Sequence, residues 1–274
     1  MPRILDYNGQ DANRTVTVAS IRELKGAGQR LAQVTASTAE EAAAAEAAGV
    51  EMVVCMAGSL PVVREGSSHV FVTAAIDFDG AITEDDLLRA AFDALGAGAD
   101  AVITARGLSC VRRLADEDIP VLGHLGFVPK KSTLFGGVRA VGKTAEEASS
   151  LWRQFRDLED AGAFGVECEL IPAQVMAEIN ARTGLATISL GSGPDADVMF
   201  LFTSDICGEE PRTPRHARVY GDLAALQQQI IDERVRALRA FRSDVAARAF
   251  PDATEVAGIE AAELARFVED LPLG

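Results

Sequence analysis

His124 is one of three histidines in this 274-residue chain. It stands at the end of a short apolar run, Ile119-Pro120-Val121-Leu122-Gly123-His124, that enters a glycine-rich segment closed by Gly136 and Gly137. The charge of an imidazole changes near neutral pH, which suits it to proton transfer. Strand ends that open into loops are also where chemistry is commonly placed. The competing reading is a buried histidine that only closes a strand. Glu167 and Glu169 alternate along a later apolar run, so both side chains can face one side of a strand. Paired carboxylates raise one another's pKa and can supply an acid and a base in one site. For Glu167, burial against an arginine such as Arg106 competes with a catalytic role. Asp77 and Asp79 follow another apolar run and read either as hard-oxygen donors or as solvated turn residues. Arg106 also follows an apolar strand, where a guanidinium can clamp a carboxylate bidentately.

These groups need a scaffold, and the pattern of the chain supplies one. Apolar β-type runs are expected at Leu31–Thr35, Met52–Met56, Val70–Ile76, Ala101–Thr104, Val121–Leu122, Gly165–Cys168, Thr187–Leu190 and Met199–Phe202. Helical patterns lie between several of them, clearest at Thr38–Ala48, Glu84–Leu95 and Thr144–Ala161, with Ser37 or Thr38, Thr83 and Thr144 as N-caps. Three of these helices run into Gly49, the Gly96–Gly98 pair and Gly162, where a left-handed residue ends a helix before the next strand. About eight strand–helix repeats with near-continuous apolar strands imply parallel pairing with helices outside. The expected fold is a (β/α)8 TIM-type barrel with extra C-terminal helices, and a doubly wound open sheet is the alternative. In a barrel the site gathers at the C-terminal ends of the strands, which is where Asp77, His124, Glu169 and Gly191–Gly193 fall. The expected organisation is a single barrel domain over residues 1–274, with a lead-in over 1–16 and a helical extension over about 215–274. Within that extension Leu223–Ala247 reads as a long amphipathic helix whose apolar face packs on the barrel or on another subunit.

Composition narrows the function classes. Hydrophobic residues make up 48% of the chain, enough for a sizeable core, and the net charge is −15. That acidity argues against nucleic-acid binding, which needs a basic footprint. Lys130, Lys131 and Lys143 are three of only four lysines; they flank the Gly136–Gly137 turn and form either a cationic rim for an anionic substrate or a solvated edge. Cys55, Cys110, Cys168 and Cys207 show no Cys-x-x-Cys pairing and read as reduced thiols. Met1–Gln10 lacks the apolar core of a signal peptide and no run is long enough to span a bilayer, so a cytoplasmic protein is expected.

Several of these segments, in order, resemble the ketopantoate hydroxymethyltransferase family of the phosphoenolpyruvate mutase and isocitrate lyase superfamily. The resemblance covers most of the chain and is specific in the second half. It rests on Ile119–Gly137, Leu158-Glu159-Asp160-Ala161-Gly162-Ala163, Glu169-Leu170-Ile171-Pro172 and Ile188-Ser189-Leu190-Gly191-Ser192-Gly193, with Asp205, Gly208 and the Pro214–Asp222 approach to the last helices following. It implies an enzyme that forms a C–C bond beside the keto group of a 2-oxo acid through an enolate, with hydroxymethyl transfer from methylene-tetrahydrofolate. On that resemblance Glu169 is the catalytic glutamate and His124 the site histidine, while Ser59, Gly191 and Gly193 fall to substrate binding. The family is typically a homo-oligomer and uses octahedral Mg²⁺ to polarise the keto group.

The first half departs from that pattern at its chemical positions. The family's metal-ligating aspartates fall on Ala57 and Ala75, and its Lys-x-Glu pair falls on Ile103 and Ala105. Alanine and isoleucine cannot ligate Mg²⁺. A two-residue shift brings Asp77 to the ligand position, and Arg106 offers a metal-free way to hold the substrate carboxylate. Two alternatives stay open: a superfamily C–C lyase or aldolase-like enzyme acting on a different 2-oxo acid without the Mg²⁺ site, and a non-catalytic ligand-binding barrel.

Overall fold

The computed structural model describes residues 3–25, 27–76 and 80–272. The chain forms two compact units, residues 1–221 and 222–274.

The first unit opens with a hairpin, β1 (Ile4–Leu5) and β2 (Asp11–Ala12), and a helix α1 (Val18–Leu24). The barrel follows as β3 (Leu31–Thr35), α2 (Ala39–Ala47), β4 (Met52–Met56), α3 (Leu60–Gly66), β5 (Phe71–Ala75), α4 (Glu84–Gly96), β6 (Ala101–Ile103), α5 (Leu108–Ala115), β7 (Val121–Gly126), α6 (Ser132–Phe135), α7 (Ala145–Asp160), β8 (Gly165–Glu169), α8 (Ala173–Asn180), β9 (Ala186–Leu190), β10 (Val198–Leu201) and α9 (Thr203–Cys207). Strands β3 to β10 pair in parallel and close, with β10 bonding β3. The register advances two residues at Leu31 to Gln33, Phe71 to Thr73, Ala101 to Ile103 and Ala186 to Ile188 before the circuit closes. That stagger is the shear of a (β/α)8 barrel, which fixes strand tilt and leaves an interior filled by side chains.

Period-two alternation divides the apolar residues into two cores. Leu31, Met52, Phe71, Ala101, Leu122, Ile188 and Val198 point inward and fill the barrel. Their strand neighbours Val53, Val72, Val102, Val121 and Val166 point outward and pack against Leu87, Leu114, Leu151 and Phe155 of the helices. Each large side chain buried this way contributes about 1.5–3 kcal/mol.

Helices α2, α4 and α7 start where side chains satisfy their first free N–H groups. Thr38 and Glu41, and Thr83 and Asp86, form reciprocal capping boxes, and Thr144 accepts from the Glu147 N–H. The three glycine stops are left-handed at Gly49, Gly98 and Gly162. At the N-terminal end of the barrel, Asp100 takes Arg14 at 2.7 Å and Arg64 at 2.6 Å, tying the lead-in to the start of β6.

Strand β7 runs to Gly126, four residues past the Leu122 end expected from the sequence. Glycine reads as a strand breaker, but at Gly123 a Cβ would sit 2.5 Å from the Leu158 side chain of α7. Close helix packing therefore requires the glycine, and the strand continues through it, carrying His124 inward.

The second unit holds α10 (Leu223–Ala247), with the bounds expected for it, and α11 (Ala261–Glu269). Neither helix contains a buried residue, and within this unit the Phe241 and Phe250 rings meet edge to face at 5.2 Å.

Candidate active site

His124, Glu167 and Glu169 converge because two adjacent strands carry them in matched register. His124 of β7 lies opposite Glu167 of β8, and Gly126 opposite Glu169. All three side chains point into the barrel at its C-terminal end. His124 Nε2 and Glu169 Oε2 are 3.1 Å apart, with side chains 10% and 13% exposed. The histidine ring also hydrogen-bonds the Phe127 backbone. Burial pulls the His124 pKa down, but the hydrogen bond with Glu169 and the charges of Glu167 and Glu169 outweigh it, so the imidazole titrates above the ordinary histidine value.

Two residues below Glu169 on the same face, Glu167 is buried. Its Oε1 accepts from the Gln33 side-chain N–H of β3 at 3.0 Å. Burial pushes its pKa above the ordinary carboxyl value, and neither the His124 charge nor the Gln33 bond brings it back. The partner is thus Gln33 rather than an arginine. Gln33 was missed in the sequence, although a signal existed: it alternates with Leu31 and Thr35 as a polar residue on the inward side of an apolar strand.

The end of β8 is held from behind. Leu170, directly after Glu169, has φ +50°, a strained conformation for a branched residue. The Leu170 N–H donates to the Leu190 carbonyl at 3.0 Å. Next to it the Ile171 N–H donates to Ser192 Oγ at 2.9 Å, and Ser192 in turn donates to the Cys168 carbonyl at 2.7 Å. The Gly191–Gly193 turn therefore holds the backbone on either side of Glu169 through the Ser192 hydroxyl. Added Cβ atoms there would meet His216 and Leu170 at Gly191 and Ala173 at Gly193, and neither glycine lines the cavity in front of Glu169.

That cavity, about 370 Å³, opens at the mouth of the barrel. Its wall is mostly apolar, built by Val54, Met56, Ala75, Ile103, Leu190 and Phe200, with Phe202 and Pro129 at the edge; His124, Glu167 and Glu169 line it together with Cys55. Ser37 also lines it, but its hydroxyl donates to Glu41 at 2.9 Å.

The other residues singled out in the sequence lie elsewhere. Ser59 stands half-buried at the start of α3. Arg106 donates to the carbonyls of Ala81 and Ile82 at 2.6 and 2.7 Å, which ties down the segment before α4. Lys130 and Lys143 are exposed and Lys131 is half-buried, all outside the cavity lining. Cys55, Cys110 and Cys168 are buried free thiols, and Cys207 is partly buried. Asp77 and Asp79 lie outside the described residues.

Among the described residues, the donor set does not fit an octahedral hard cation. Met56, Ala75, Ile103 and Ala105 occupy the wall where oxygens would be needed, and the two carboxylates already engage His124 and Gln33. Among the described residues, no group of three histidine, cysteine, aspartate or glutamate side chains is placed to hold a metal.

Residues 55–253 match the family model of ketopantoate hydroxymethyltransferase. The chain belongs to that family. A 3-methyl-2-oxobutanoate hydroxymethyltransferase of Roseiflexus sp. (strain RS-1) is 31% identical over 281 residues, covering 93% of this chain and 99% of the relative. The protein of the same name from Hyperthermus butylicus is 34% identical over 263 residues, covering 86% and 88%. Among solved structures, phosphonopyruvate hydrolase in complex with oxalate and Mg²⁺ superposes with a TM-score of 0.50 at 15% identity, covering 93% of this chain and 98% of that one. That likeness is one of fold alone. Within the ketopantoate hydroxymethyltransferase family, this member combines a His–Glu pair at the barrel mouth with an apolar wall facing it. Among its described residues no helix is long and apolar enough to cross a membrane.

Proposed function

We propose that this chain catalyses hydroxymethyl transfer to the carbon beside the keto group of a 2-oxo acid, with 3-methyl-2-oxobutanoate, the substrate in its relatives' names, as the acceptor. The observation that carries this reading is the His124–Glu169 pair, 3.1 Å apart, set into an apolar cavity at the mouth of the barrel. Such a wall suits a branched alkyl group, and excluding water strengthens every charge interaction formed inside.

Glu169 removes the C–H proton next to the keto group, and the C–H electron pair becomes the double bond of an enolate. His124 holds the carboxylate through Nε2 and fixes which of its oxygens faces the substrate. The enolate carbon then attacks formaldehyde, which water releases from methylene-tetrahydrofolate by breaking both C–N bonds, with tetrahydrofolate as the leaving group. As the new C–C bond forms, the formaldehyde oxygen takes from the His124–Glu169 pair the proton that was removed from the substrate and becomes the hydroxyl, and the pair returns to its starting state. Among the described residues the donors around the cavity do not form a metal's shell, and the proton transfers fall to Glu169 and His124.

We also infer that the chain works as a homo-oligomer. The second unit buries none of its own residues, so Leu226, Ile230, Leu238 and Phe241 need cover from outside it.

The test is Glu169→Gln, followed by exchange of the C3 proton of 3-methyl-2-oxobutanoate for deuterium by NMR. Loss of a positioned base costs ~10²–10⁴-fold. Exchange at the wild-type rate in this variant would sink the mechanism.

A further inference from the structure

Enolate formation needs a partner for the negative charge that develops on the keto oxygen, and the cavity has few to offer. His124 is bonded to Glu169 and to the Phe127 backbone. Arg106 is bonded to the carbonyls of Ala81 and Ile82. Ser37 donates to Glu41, and Thr35, whose Oγ1 accepts from the Thr203 N–H at 3.0 Å, is only half-buried at the end of β3. Among the described residues, one buried ionisable group in the lining is still uncommitted on its cavity side. Glu167 accepts from Gln33 at Oε1, and Oε2 takes part in no hydrogen bond among the described residues.

We propose, resting on the function inferred above, that Glu167 carries a proton at the cavity floor and donates it in a hydrogen bond to the keto oxygen as the enolate forms, so that a carboxylic acid takes the place of a metal ion. The spacing suits this role. Side chains at i and i+2 of a strand emerge on one face roughly 7 Å apart. The reacting carbon and the keto oxygen of a 2-oxo acid are separated by about 2.4 Å across two bonds. Adding a contact of ~3 Å from Glu169 to the C–H and another of ~3 Å from Glu167 to the oxygen spans such a gap.

The surroundings favour the protonated form. Glu167 faces His124 from β7, Glu169 from its own strand, uncharged Gln33 from β3, and apolar Ile188 and Phe200 from β9 and β10. Burial raises its pKa first, and the second carboxylate adds to the rise. A carboxylic acid kept neutral by an apolar site is an effective oxyanion donor. The protons balance. The substrate C–H proton moves to Glu169 while the C–H electrons form the C=C bond and the carbonyl π electrons settle on oxygen. The Glu167 proton is shared with that oxygen or passes to it, and it returns when attack on the one-carbon unit restores the C=O. During this interval the Gln33 N–H and the His124 imidazolium stabilise the Glu167 carboxylate.

The experiment compares wild type, Glu167→Leu and Glu167→Gln in the C3 proton–deuterium exchange of 3-methyl-2-oxobutanoate, with no one-carbon donor present. Removing one oxyanion donor costs ~10²–10³-fold in kcat, so Leu should lose that much with KM changed less than about threefold. Gln keeps an N–H donor at the same place and should stay within about tenfold of wild type. The proposal is overturned if Leu exchanges within about threefold of wild type, or if Gln falls as low as Leu. Absence of exchange in the wild-type protein would instead remove the function on which the proposal rests.

Discussion

Replacing Gly126 by alanine tests whether the end of β7 sets the position of Glu169. Gly126 has φ +86°, and a Cβ added there would lie 2.2 Å from the Glu169 carbonyl oxygen and 2.8 Å from Ile171 Cγ1. An L-residue in this conformation costs about 1–2 kcal/mol. A carbon tolerates a carbonyl oxygen no closer than about 3.3 Å, so that oxygen must retreat by roughly 1 Å. The retreat also breaks the hydrogen bond from the Phe127 N–H to the Glu169 carbonyl, 2.8 Å long and worth about 1 kcal/mol. Together the loss is ~3 kcal/mol, which lowers Tm by ~6–12 °C for a chain of this size. A misplacement of ~1 Å at a catalytic group costs ~100-fold in rate. Thermal unfolding followed by circular dichroism and the C3 exchange assay measure the two effects separately. A variant that melts early yet exchanges at the wild-type rate refutes the positioning argument, and one that melts normally refutes the steric one.

Two further outcomes are expected. His124 and Glu167 both titrate above their ordinary values of 6.5 and 4.5, so the stability each confers is complete below its ordinary value and is lost as pH rises through its folded value. Glu41 behaves oppositely. Burial works to raise its pKa, but hydrogen bonds from Ser37 and Thr38 carry it below 4.5, and that contribution fades on acidification. Urea unfolding should therefore show declining stability on both sides of about pH 5–6, and a midpoint that climbs steadily from neutral to alkaline pH would contradict the assignment. In the second, exchange and transfer rates should change less than about twofold when excess EDTA replaces Mg²⁺, whereas a tenfold loss restored by Mg²⁺ would show a hard-cation site that the donor set does not suggest.

The sequence announced the barrel because its signals were redundant: eight apolar runs, threonine N-caps at Thr38, Thr83 and Thr144, and glycine stops at Gly49, Gly98 and Gly162. Any one could be misread without losing the architecture. Strand β7 continues past the expected Val121–Leu122 run through Gly123, and only the position of Leu158 on α7 explains why the strand needs that glycine. The His124–Glu169 pair was legible through the family resemblance, but its distance depends on the register of β7 and β8, which no local pattern encodes. Gln33 was missed for a related reason. A single inward polar residue acquires meaning only when the residue across the barrel is known. Arg106 was placed at the rim by its strand, yet its long side chain turns to Ala81 and Ile82, a choice made by tertiary contacts alone.

The register of β7 against β8 has a consequence for how this site can change. His124, Glu167 and Glu169 come from two neighbouring strands joined through α6 and α7, so the groups proposed to handle protons travel as one inherited block. The wall opposite belongs to β4, β5 and β6, where Met56, Ala75 and Ile103 contribute little more than shape. On the proposed mechanism, the barrel thus separates the residues that move protons from those that choose what fits. Drift or selection can recarve the β4–β6 side for a new acyl group, one side chain at a time, without realigning the acid and base that act on it.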